Sequence, residues 1–135
     1  MRGGEFQTGL FPLVFDSSSL INIKNLGGMN KLRARRGDVL IPEKVAGELT
    51  DPKVHRNDPL LKFVLNYPGT VIPFQSNEEI EYLTIRSQSG IHNGEAAAIT
   101  LALSRQLPLV IDDPRAKAKA VNHNVKVFGS NEFLS

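Results

Sequence analysis

Five short apolar runs, Leu10–Phe15, Val39–Ile41, Val71–Ile72, Leu107–Ile111 and Val125–Phe128, are separated by stretches with helical spacing. That alternation constrains the fold more than any other feature of the chain. Apolar runs this short read as buried strands, and a helix between successive strands is the crossover that parallel pairing requires. The expected class is α/β, a mostly parallel sheet with helices on both faces.

The punctuation between the runs agrees. Asp16-Ser17-Ser18-Ser19 supplies N-caps for a helix carrying Leu20, Ile21 and Ile23, and Gly27-Gly28 ends it. A short basic helix from Asn30 to Arg36 stops at Gly37, and Pro42 opens another that runs from Glu43 to about Leu49. Residues 50–58 turn polar, with breakers at Asp51-Pro52 and Asp58-Pro59. Leu60 to Leu65, a segment from about Asn77 to Ile85, Gly94 to Leu103 and Arg115 to Val121 complete the helices, the last with Asp113 as N-cap and Pro114 at its first position.

Length and composition bound the chemistry. With 135 residues, 41% of them hydrophobic, the chain is one domain's worth. Residues 1–9 are expected to be a flexible tail and 10–135 a single domain. Lys and Arg number 16 against 14 Asp and Glu, so the net charge is only +2. The absence of cysteine excludes disulfides, thiolate zinc sites and cysteine nucleophiles. No stretch approaches the roughly 18 apolar residues of a membrane span, and the N-terminus lacks a secretory pattern. A soluble, cytoplasmic protein is the expected setting.

What remains is carboxylates. Asp16 and the pair Asp112-Asp113 each follow an apolar strand, while Glu48 and Glu95 lie on helices that follow such strands or turns. Each has a bland reading alone: Asp16 and Asp113 as caps, Glu95 as an acid complementing a helix N-terminus, Glu48 as solvated surface. Their coincidence is the signal, because a parallel sheet can gather all of them at one edge. A cluster of this kind repels itself unless cations neutralise it, and hard oxygen donors favour Mg²⁺ or Mn²⁺. Such a metal lowers the pKa of bound water and stabilises charge on a phosphate.

Four segments carry a family resemblance: Val14-Phe15-Asp16-Ser17-Ser18-Ser19-Leu20-Ile21, Ile41 through Leu49, Gly94-Glu95-Ala96-Ala97-Ala98-Ile99, and Ile111 through Lys117. In this order and spacing they resemble the PIN-domain proteins, of the kind found as the ribonuclease toxin of VapBC-type toxin–antitoxin pairs. The resemblance implies a three-layer α/β/α sandwich on a parallel sheet of about five strands, an acidic quartet binding Mg²⁺ or Mn²⁺, and cleavage of RNA. It implies Asp16, Glu48 and Glu95 as the first three acids. The fourth falls on Asp113 or Asp112, with Asp113 the favoured ligand and Asp112 its helper. Ser17 or Ser18, and Ser130, match positions where the family often has a group that orients a carboxylate or water. The third acid is Glu rather than Asp, a common alternative that changes side-chain reach by one methylene. An antitoxin partner and a homodimer are implied on the same footing.

Arg33, Arg35, Arg36, Lys53, Arg56 and Arg115 are candidates for contacts to an RNA backbone. Histidines 55, 92 and 123 read as surface or loop residues rather than ligands, although His92 is close to Glu95 in sequence. A phosphotransfer receiver domain would want its acidic pair after the first strand, where Asp16 stands alone. A haloacid-type phosphatase would need an aspartate where Ser18 stands, and no P-loop is present. A non-catalytic module that keeps the fold for RNA or protein contact is the alternative from a different class.

Overall fold

The computed structural model describes residues 11–51, 58–88 and 90–135. The expected N-terminal tail, Lys53, His55 and Arg56 lie outside these. Strands β1 (Leu13–Phe15), β2 (Val39–Pro42), β3 (Val71–Ile72), β4 (Leu109–Val110) and β5 (Val127–Phe128) form one sheet in the order β3-β2-β1-β4-β5. Every pairing is parallel. Three strands are shorter than their apolar runs, because Phe11, Leu107 and Val125 lead into the ladder without joining it.

Helices α1 (Ser17–Asn25), α2 (Met29–Ala34) and α3 (Glu43–Leu49) belong to the first half, with α4 (Pro59–Asn66) beyond the polar loop. Helices α5 (Ser76–Arg86), α6 (Asn93–Arg105), α7 (Pro114–Asn122) and α8 (Ser130–Leu134) follow. The sequence reading did not foresee α8. It is short, but Phe133 is fully buried and meets the Phe15 ring edge-on at 5.2 Å, so packing holds a helix that local propensity does not announce.

The core is the sheet's own side chains, with Leu13, Val14, Phe15, Val39, Ile41, Leu109 and Val110 all without exposure. Helix α6 contributes Ala96, Ala97, Ala98, Ile99 and Leu101 to it, and the three alanines let its backbone lie close against β1 and β2. Among the described residues no helix is long and apolar enough to cross a membrane.

Strand order determines where a site can form. From β1 the chain crosses to β2 and then β3 on one side, whereas β4 and β5 extend the sheet on the other. Connections therefore diverge at the carboxyl ends of β1 and β4, opening the crevice where α/β sheets bind ligands.

Candidate active site

Asp16 is the first residue past β1. Phe15 is level with Val110 in the ladder, so one further step sets Asp16 level with Ile111 and brings Asp112 just beyond it. Only 1% of Asp16 is exposed. It is the N-cap of α1, its Oδ1 accepting from the Ser19 N–H at 2.9 Å, while the Ser19 hydroxyl donates to the Asp16 carbonyl at 3.0 Å. The predicted cap is thus present, and it is also buried in the crevice. Burial pushes the Asp16 carboxyl up to about 6, the Ser19 hydrogen bonds pull the other way, and the charges of Glu95 and Asp112 add to the rise.

Glu95 enters from α6. It is the third residue of that helix and 6% exposed, and its Oε1 accepts from the His92 N–H at 3.0 Å across the helix start. The acid that complements the dipole is therefore the same one that charges the crevice. Glu48 comes from α3 and is exposed, yet a Cβ built on Gly94 would lie 2.6 Å from its Oε1. That places its carboxylate beside the opening turn of α6. The same point at Gly94 is 3.6 Å from the Ser17 hydroxyl, so Ser17 borders the crevice too, whereas Ser18 is exposed on α1.

The adjacent aspartates part company. Asp112 Oδ1 accepts from the Ser130 N–H at 2.8 Å and Oδ2 from the Asn22 side-chain amide at 2.7 Å. Burial raises its carboxyl, but the Ser130 N–H, the Asn22 amide, the Ser130 hydroxyl and the Lys117 charge together outweigh burial and hold it below its ordinary value. Asp113 is instead the N-cap of α7, with Oδ2 accepting from the Ala116 N–H at 3.0 Å. Asp112 is near enough to Asp16 to influence its proton, and Asp113 caps α7 through one of its oxygens, as Asp16 caps α1.

The crevice thus holds one carboxylate pushed up by burial and a neighbour held down by its hydrogen-bond partners. Among the described residues no three His, Asp or Glu side chains converge into a ready-made metal cage. The donor set still suits a hard, hydrated cation. Mg²⁺ keeps several waters and takes one or two carboxylates, and a cation would offset both the burial of Asp16, the main cause of its rise, and the smaller contribution of the Glu95 and Asp112 charges.

The cationic candidates divide by topology. Arg33, Arg35 and Arg36 precede β2, so they lie at the amino edge of the parallel sheet, opposite the crevice. Arg35 is moreover 8% exposed, donating to the Phe11 carbonyl at 3.1 Å with its guanidinium over the Phe133 ring. Arg36 lies over the Tyr67 ring. Arg115 is at the crevice edge, exposed in the first turn of α7 and against Gly90. His92 caps the start of α6 near Glu95, while His123 is at the far end of α7.

Sequence reasoning passed over Asn22 and Lys117, which orient and charge-balance Asp112. The signal for Asn22 was a lone amide between Ile21 and Ile23, six residues after Asp16; that for Lys117 was a cation one helical turn past Asp113.

Comparison with known proteins follows the same line. A family model described as the PIN domain matches residues 12–134. No curated protein matches the chain. One similar solved structure is that of FitAB bound to an IR36 DNA fragment, with a TM-score of 0.59 over 87% of this chain and 94% of that one, at 14% identity. At that identity the likeness concerns the fold.

Proposed function

The chain belongs to the PIN-domain family, and from that premise we propose that it is a Mg²⁺- or Mn²⁺-dependent endoribonuclease, acting as the toxin of a toxin–antitoxin pair. The observation that carries the reading is Asp16. It is a carboxylate buried at the sheet's switch point, raised to about 6, with the charges of Glu95 and Asp112 converging on it.

In this reading Asp16, Glu95 and Asp112 would hold the cation, with Asp113, the cap of α7, beside them. A divalent ion there supplies Lewis acidity to a phosphate and lowers the pKa of water. The chain supplies the positioning. Ser19 fixes Asp16 through its backbone N–H, Asn22 and Ser130 engage both oxygens of Asp112, and the His92 N–H holds one oxygen of Glu95. Glu48, on the open side, would accept the proton of the water that attacks phosphorus in line, as the P–O bond opposite breaks and the leaving ribose oxygen takes a proton from solvent. Arg115 contacts a flanking phosphate. The antitoxin partner and a homodimer complete the proposal on family grounds.

The test is cleavage of a labelled RNA pool in Mn²⁺, in Mg²⁺ and in chelator, by wild type and Asp16→Asn. Metal-dependent cleavage lost in the variant supports the reading. Equal activity in both proteins, or none in wild type with either metal, overturns it and favours a non-catalytic binding module.

A further inference from the structure

Gly94 is the second residue of α6, buried, and outside the left-handed region, where only Gly27 and Gly90 among the described glycines fall. Its backbone therefore does not need glycine. A helix position of this kind favours alanine by up to about 1 kcal/mol, and the next positions after Glu95 on the same helix are Ala96, Ala97 and Ala98.

What a side chain would meet explains the exception. A Cβ at Gly94 would lie 2.6 Å from Glu48 Oε1, while the next atoms, Glu48 Cδ and Ser17 Oγ, are both at 3.6 Å, an ordinary contact distance. The one obstruction is a carboxylate. Gly28 gives the contrast, because a Cβ there would strike Ile23, Leu134 and the Ile23 carbonyl, all parts of the packed interior. The first glycine makes room for a functional group, the second for the core.

We propose that Gly94 is a positioning residue: its missing side chain is the seat that lets α6 hold the Glu48 carboxylate in the crevice beside Ser17 and Glu95. The proposal rests on the assignment of Glu48 to proton transfer. Glu48 is otherwise an exposed residue on a short helix, free to point into solvent. A methyl at Gly94 displaces a mobile side-chain end rather than backbone, so the fold survives while the carboxylate loses its place.

The experiment is a double-mutant cycle of Gly94→Ala and Glu48→Ala, read by RNA cleavage in Mn²⁺ and by melting temperature in chelator. Gly94→Ala alone is expected to lose about 10- to 100-fold in kcat, the range for residues that orient a catalytic group, and to lose nothing further in the Glu48→Ala background. In chelator the same change should raise the melting temperature more in the Glu48→Ala background than in wild type, since the methyl is unobstructed only there. Equal losses of kcat in both backgrounds, or equal changes in melting temperature, overturn the proposal. A merely structural glycine would lower the melting temperature in both. If wild type cleaves no RNA, the ribonuclease reading fails, and the melting cycle, which needs neither metal nor substrate, still decides between a seat for Glu48 and none.

Discussion

Asp16 carries a cost that the metal-free protein must bear. Its carboxyl rises from an ordinary 3.8 to about 6, so the folded state holds its proton more tightly than the unfolded chain does. Stability in chelator should therefore fall as pH climbs from about 4 through 6, by roughly 1–3 kcal/mol for this buried group. Asp16→Asn keeps a capping side chain for Ser19 and removes the charge. Its melting temperature should exceed that of wild type by several degrees at pH 7.5 in chelator, and the gap should close at pH 4. At this scale the sequence was partly legible. The cap at Asp16 and the cap at Asp113 follow from residue type and neighbours alone. That Asp112 is held at both oxygens does not, because its partners, Ser130 and Asn22, are distant in the chain.

Helices α5 and α6 are pinned by a single buried acid. Arg105 donates to both oxygens of Glu78, at 2.7 and 3.0 Å, and the Ser104 hydroxyl adds a further bond. The Arg105 side chain, with help from the Gln75 N–H and Ser104, holds the Glu78 carboxyl down to about 2 against the opposing effect of burial. The folded value is depressed, so the stabilisation is fully present above an ordinary 4.5 and is lost as pH falls toward 2. Glu78→Gln should cost about 1–3 kcal/mol in chemical denaturation at pH 7, with the difference from wild type shrinking below pH 4.5. Elements as such were readable from the alternation of apolar runs and caps. Helix α8 was not, since its cause is Phe133 packing on Phe15, a contact between the two ends of the chain. The start of α5 at Ser76 was close to legible, through Glu78 reaching back to the Gln75 N–H.

The sheet order sorts the whole molecule into two edges. Residues that follow strands lie toward the crevice edge and those that precede strands lie opposite it, which puts Asp16 and Asp112 on one edge while the basic helix before β2 is on the other. Charge reversal exposes the difference. Arg33→Glu with Arg36→Glu should leave RNA cleavage within about twofold, as expected of sites remote from the chemistry, whereas Arg115→Glu should raise KM and lessen the dependence of binding on salt. The parallel sheet was legible in the spacing of the runs. Which basic residues share an edge with the acids was not read from it, although their positions before or after a strand contain that information. On the proposed function, this edge holds a divalent cation through Asp16. Calorimetric titration of Mn²⁺ into wild type and Asp16→Asn at pH 7.5 tests it directly: saturable binding in wild type, abolished or weakened at least about tenfold in the variant, is the predicted result. Identical isotherms, or no binding to wild type at millimolar Mn²⁺, would contradict it.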